Sequence, residues 1–253
     1  MKENNIFLDL LAFEIKYPYG HLYWDRCGQT ILDIEMLRDG WFGAVAEGNT
    51  ARLENPEKNM VLIFNDQHFI ITAKRLKELS GKIIKEDLQR IWKIARANLG
   101  IEEYDRLGCR FHFIKPTKSV EESEVLIRKS EFNVVIPKQL SEPNYNLSIR
   151  QVVSIFEKEE MDYRVELKGI TRSEGINPSG LLSARPKAMS KKQKEYRFQK
   201  MKRLAEYSVN PMYGVMLDID CATYSPEQIS VGEFVDRQAT VIKHDFLPIL
   251  EKL

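Results

Sequence analysis

The feature that most restricts the fold is the alternation of apolar and polar residues over several short runs. In LAFEIKY, Leu11, Phe13, Ile15 and Tyr17 fall on one side of an extended chain and Glu14 and Lys16 on the other. RLGCRFHFI repeats the pattern, with Leu107, Cys109, Phe111 and Phe113 inward and Arg110 and His112 outward. So does VMLDIDC, where Val215, Leu217, Ile219 and Cys221 share one face and Asp218 and Asp220 the other. A strand that is apolar on one side only belongs to a sheet covered on one face, which antiparallel sheets commonly are. MVLIFNDQHFIITAK reads as two strands around Asn65 and Asp66, and LSIRQVVSIF with YRVELKGI as a second hairpin around EKEEMD. GWFGAVA is a further extended segment.

Helical spacing occurs in fewer places. Ile31, Ile34 and Leu37 mark a short helix. A longer one runs from Lys82 to Leu99, because Ile84, Leu88, Ile91, Trp92, Ala95 and Leu99 keep the 3.6 period and Gly100 stands at the cap position. Ser119 with Glu122, and Ser230 with Glu233, have capping-box spacing, and Ser225-Pro226-Glu227-Gln228 is another start signal. The last helix, from about Val231, carries the stripe Phe234, Val235, Ile242 and Phe246, and Pro248 is expected to kink or end it. Helices do not alternate regularly with strands. The expected fold is therefore α+β, with mainly antiparallel sheets and helices packed on one face. Two similar lobes, 1–117 and 118–253, divided near Pro116 to Ser119, fit this order, and so does one domain on a single extended sheet.

Composition limits the partners. With 253 residues, 43% of them hydrophobic, the chain can bury a full core. Lys and Arg total 38 against 37 Asp and Glu, so the net charge of +1 gives no global attraction to polyanions. Cys27, Cys109 and Cys221 are an odd number with no C-x-x-C pair, which argues against a disulfide scaffold or a thiolate zinc site and for a reducing cytoplasm. Cys109 and Cys221 fall on the apolar side of their strands and read as inert core thiols, while nothing in DRCGQT pairs Cys27 with a base. His21, His68, His112 and His244 lack metal-ligand spacing and read as surface or satisfied residues. No stretch approaches the roughly 20 apolar residues that cross a bilayer, so no membrane partner is expected.

Against this neutral background the charge is segregated. A mobile insert is expected over about 173–210, opening with the aperiodic RSEGINPSGLLSARPKAMS. Within it, Lys187, Lys191, Lys192, Lys194, Arg197, Lys200, Lys202 and Arg203 face a single acid, Glu195, giving +7 and leaving −6 on the rest of the chain. Tyr196, Phe198 and Met201 are interleaved with them. Bases can neutralise phosphates while aromatic rings offer a stacking surface, so nucleic acid is one partner of this segment. A protein partner, contact with the chain's own acidic remainder and a merely solvated helix are the alternatives.

Asp218 and Asp220 also invite a magnesium reading, because a hard cation takes carboxylate oxygens of this kind. Two E-x-K triplets, Glu14-Ile15-Lys16 and Glu166-Leu167-Lys168, could complete a nuclease-like set in which lysine stabilises charge on phosphate. The Pro-Asp that precedes such triplets in those enzymes is missing. An acidic solvated strand face explains the residues more simply, so Asp218 and Asp220 are expected to be surface residues, with no metal bound and no catalytic set.

MVLIFNDQHFIITAK, RLGCRFHFI, GVMLDID and FVDRQATVIKHDFLPIL resemble, in order and spacing, a sporadically distributed family of uncharacterised prokaryotic proteins similar in length to these 253 residues. The resemblance implies an intracellular protein of a bacterium, archaeon or phage and supplies no catalytic residues. Arg172 to Asn210 lies outside its pattern. The function expected is a non-catalytic binding or adaptor protein, with a phage-defence-type assembly as one setting, whose basic arm contacts nucleic acid or a protein. A magnesium-dependent phosphodiesterase or nuclease using Asp218, Asp220, Glu166 and Lys168 is the first alternative, and a self-associating structural component, hence a homo-oligomer, the second.

Overall fold

The computed structural model describes residues 6–47, 50–76, 78–79, 81–130, 132, 151–158, 160–172, 212–223 and 229–253. Nine strands form one antiparallel sheet: β1 (Phe7–Lys16), β2 (Phe42–Glu47), β3 (Thr50–Asn55), β4 (Met60–Phe64), β5 (His68–Leu76), β6 (Arg106–Thr117), β7 (Gln151–Lys158), β8 (Met161–Arg172) and β9 (Met212–Thr223). Their spatial order is β2-β3-β4-β5-β1-β6-β9-β8-β7. Six strands precede Thr117 and three follow it, and β6 joins the two groups by pairing with β1 on one side and β9 on the other. The α+β class, the antiparallel sheet and both expected hairpins are present. β3 is an additional strand, inserted between β2 and β4.

The helices α1 (Tyr23–Glu35), α2 (Lys85–Leu99), α3 (Val120–Lys129), α4 (Val231–Val241) and α5 (Leu247–Lys252) cover one face. Ring contacts place the first, second and fourth: Tyr23 against Phe64, Trp92 against Phe69, and Phe234 against Phe13, the last with centroids 5.5 Å apart. Ser123 and Ile127 of α3 lie over Gly169, which shares its side of β8 with Tyr163, Val165 and Leu167. These side chains join Leu11, Phe13, Ile15, Phe111, Phe113, Leu217 and Ile219 in one core cluster.

Local signals explain the element ends. Asn65 closes the β4–β5 turn by accepting the Gln67 and His68 N–H groups at 2.8 and 2.7 Å. Tyr17 then ties β1 to that turn by donating its hydroxyl to the Asn65 carbonyl at 2.7 Å. Gly100 ends α2 in the left-handed region at φ +66, where glycine escapes Cβ strain. Ser230 and Glu233 form the full capping box. At Ser119 only half of one forms, because the Glu122 carboxylate takes the Lys118 N–H instead. Pro248 does not end the helical run: a π-helical turn over Ile242–Phe246 precedes it, and the proline falls in the first turn of α5. The Ser225–Gln228 start signal and the basic insert lie outside the described residues, apart from Arg172 at the end of β8.

Candidate functional site

The opposite face of the sheet carries no helix among the described residues. At its centre the register sets polar residues of three strands side by side: Arg110 of β6 opposes Asp220 of β9, which opposes Arg164 of β8, and one step along, His112 opposes Asp218, which opposes Glu166. Lys168 follows Glu166 on β8, and Val153 and Ile155 of β7 complete the rows.

Asp218 anchors this cluster and corrects the sequence expectation. Its side chain is 1% exposed, not a surface group. Arg110 grips it with a two-pronged fork, donating from Nε to Oδ1 at 2.8 Å and from Nη2 to Oδ2 at 2.6 Å. Lys168 Nζ is 3.6 Å from Oδ2. His112 Nε2 lies 3.3 Å from Oδ1 but out of hydrogen-bond alignment, so this ring nitrogen is buried without a hydrogen-bond partner. Glu166 is also buried, and its two oxygens take Lys168 Nζ at 2.7 Å and Arg164 Nη2 at 3.0 Å.

These contacts set the charge states. Burial alone would raise the Asp218 carboxyl, yet the Arg110 hydrogen bonds and the adjacent His112 ring hold it well below its ordinary value. Burial opposes ionisation of Glu166 too, and Lys168 and Arg164 outweigh it, lowering that carboxyl. The hydrogen bond to Asp218 raises Arg110 in return. Both carboxylates are thus anions beneath the surface, whereas Arg110 and Arg164 are each 44% exposed at the side chain. Acids lie inside and cations outside. Glu54 and Arg52, further along the same face on β3, repeat the arrangement.

Of the residues expected for a magnesium site, the structure brings Asp218, Asp220, Glu166 and Lys168 onto one face. The oxygens of Asp218 and Glu166 are already engaged by Arg110, Arg164 and Lys168, and Asp220 stands between the two arginines in the register. Among the described residues no group of three or more His, Cys, Asp or Glu is arranged to hold a metal ion. The second triplet is separate: Glu14 pairs with Arg106 and, at 3.1 Å, with His68 Nδ1. Lys187, Lys191, Lys192, Lys194, Tyr196, Arg197, Phe198, Lys200, Lys202 and Arg203 lie outside the described residues.

Sequence reading missed Arg110, Arg164 and His112. Each stood at an outward position of a recognised strand, and only the pairing of β6, β9 and β8 reveals that they converge on the acids. No family model matches the chain, and no curated protein does. No helix among the described residues is long and apolar enough to cross a membrane.

Proposed function

We propose that this chain is a non-catalytic binding protein that holds the phosphate backbone of a nucleic acid across the face opposite the described helices, with the basic segment Lys187–Arg203 as a second contact. The observation that carries this reading is the inversion of the cluster, with Asp218 and Glu166 buried and Arg110, Arg164 and Lys168 directed outward. A guanidinium has five N–H donors. Arg110 spends its Nε and one Nη2 hydrogen on Asp218, and the rest remain for an incoming oxyanion. Side chains already held by buried acids lose little rotamer freedom on binding, which lowers the entropic cost of recognition. The cluster is nearly neutral in sum, so long-range attraction falls to the +7 of residues 187–203. A cytoplasmic protein of a prokaryote or phage, acting as an adaptor within a defence-type assembly, fits this reading and the family resemblance.

Fluorescence anisotropy of a labelled single-stranded oligonucleotide across a salt series tests it. Affinity should fall linearly on a log–log plot against salt. The paired change Arg164→Gln with Glu166→Gln, which leaves no buried charge unmatched, should weaken binding, and Lys191, Lys192 and Lys194→Gln should flatten the salt slope. No binding at low salt overturns the reading, and magnesium-dependent cleavage of the oligonucleotide overturns its non-catalytic part.

One observation favours self-association as a second reading. β7 is an edge strand whose Val153, Ile155 and Phe156 are exposed, Ile155 at 76%, and unpaired edges are templates for other strands. Light scattering that shows only monomer across a concentration series removes it.

A further inference from the structure

Behind the cationic face, on the helix side of the same two strands, Cys109 and Cys221 stand directly opposite each other in the β6–β9 ladder. Their Sγ atoms are 3.0 Å apart and both residues are buried. Directly opposed antiparallel residues hold their Cα atoms about 4.5 to 5.5 Å apart, inside the roughly 4.4 to 6.8 Å that a disulfide bridges. No strand has to move for these two sulfurs to bond. Cys221 Sγ donates to Gln238 Oε1 of α4 at 3.1 Å, and Gln238 Nε2 lies 2.8 Å from Met161 Sδ, so the pair sits in a tight polar and sulfur-lined spot within an otherwise apolar core.

We propose that Cys109 and Cys221 are a redox pair that closes to a cross-strand disulfide, with a peroxide or a low-molecular-weight disulfide as oxidant. Two S–H bonds break and one S–S bond forms. The two electrons and two protons pass to hydrogen peroxide, which leaves as two waters, or to a glutathione-type disulfide, which leaves as two thiols. Thiolate is the reactive form, and burial, which also pushes the Cys109 thiol well up, keeps it scarce in the folded protein. Oxidant therefore acts when the β6–β9 ladder opens or before it has formed, which makes closure slow in the native state and fast during folding. The bond would close a loop between residues 112 apart in sequence and restrict the unfolded chain. It would also staple the two strands that carry Arg110, His112 and Asp218 on their other side. Half-buried Cys27 takes no part. This inference stands independently of nucleic-acid binding.

The test refolds the full, reduced chain from denaturant into a mixed reduced and oxidised glutathione buffer, then alkylates, digests and maps it by mass spectrometry. The expected result is a Cys109–Cys221 cross-linked peptide in most molecules, with Cys27 alkylated. The melting temperature should stand several degrees above that of the reduced protein and return on reduction. Native protein held in hydrogen peroxide should reach the same cross-link far more slowly. Cys27→Ala should keep the cross-link and the shift, and Cys221→Ala should lose both. Three alkylated thiols after oxidative refolding, or cross-links made chiefly through Cys27, would overturn the proposal. A cross-link with no thermal shift would overturn the stapling. The wild-type peptide map decides the pairing even where Cys221→Ala fails to fold.

Discussion

Arg110 and Asp218 show how a polar residue can alternate onto the face opposite the described helices and still be buried. VMLDIDC reads as one apolar and one acidic side, and that much is correct. The further step, that an acidic side is a wet side, fails because Arg110, His112 and Lys168 arrive from neighbouring strands and cover Asp218. Removing the covering cation is therefore worse than removing the acid. Arg110→Ala leaves the buried carboxylate without its two short hydrogen bonds, with only Lys168 at 3.6 Å and the His112 ring beside it, and should cost about 3–5 kcal/mol. Asp218→Asn gives up charged hydrogen bonds but leaves an arginine that water can reach, and should cost about 1–3 kcal/mol. Asp220→Asn, at a half-exposed site, should stay within about 0.5 kcal/mol. Chemical denaturation of the three variants ranks them, and equal effects at 218 and 220 would contradict the burial argument. The pH dependence follows from the same contacts. Asp218 and Glu166 lie below their free values of 3.8 and 4.5 in the folded protein, so unfolding in acid takes up protons. Their stabilisation is complete above those free values and is lost as the pH falls through the folded ones. Glu166 gives wild type and Asp218→Asn the same onset near pH 4.5, so wild-type stability should fall more steeply than that of Asp218→Asn only below about pH 3.8, measured as denaturant midpoints against pH.

At the scale of elements, the helices and hairpins whose information is local were legible. Alternation gave β1, β6 and β9, Asn65 marked the β4–β5 turn, and Ser230 with Glu233 marked the start of α4. What was not legible depends on partners distant in sequence. β1 lies between β5 and β6, and β9 lies between β6 and β8, and no nearby residue records that order. The candidate site exists only through those pairings, so its acids were visible and its cations were not grouped with them. Two substitutions probe the local signals. Ser230→Ala removes the hydroxyl that accepts the Glu233 N–H and should cost about 1 kcal/mol, a typical loss for a helix cap. Gly81→Ala should cost more than Ser230→Ala, because φ is +78 there and the new Cβ would stand 2.9 Å from Leu11 Cδ2 and 3.1 Å from Phe111 Cε1. Thermal denaturation of both gives the order, and a milder effect at Gly81 would mean that the core shifts freely at that point.

For the whole molecule, the question is whether 1–117 and 118–253 can fold apart. β6 pairs along its length from Leu107 to Thr117 with β9, and cutting after Thr117 would leave that edge of the sheet open. The C-terminal helices also serve the N-terminal strands: Phe234 packs on Phe13, Tyr104 donates to the Ile229 carbonyl at 2.9 Å, and Lys115 donates to the Leu250 carbonyl at 3.1 Å. Asp236 of α4 pairs with Lys85 at the start of α2. A cut after Thr117 would remove α4 and expose Phe13, and would take Phe234 and Val235 out of the single core cluster, at about 1.5–3 kcal/mol for each large side chain lost from it. Three such side chains come to about 4.5–9 kcal/mol, comparable with the whole stability of an ordinary domain, about 5–15 kcal/mol. A fragment of residues 1–117 is therefore expected to aggregate or stay unfolded, while the intact chain unfolds with its β1 and β9 amides losing hydrogen-exchange protection together. A soluble 1–117 fragment with dispersed amide resonances would show instead that the six N-terminal strands close a core of their own and that β9, β8 and β7 are an addition to it.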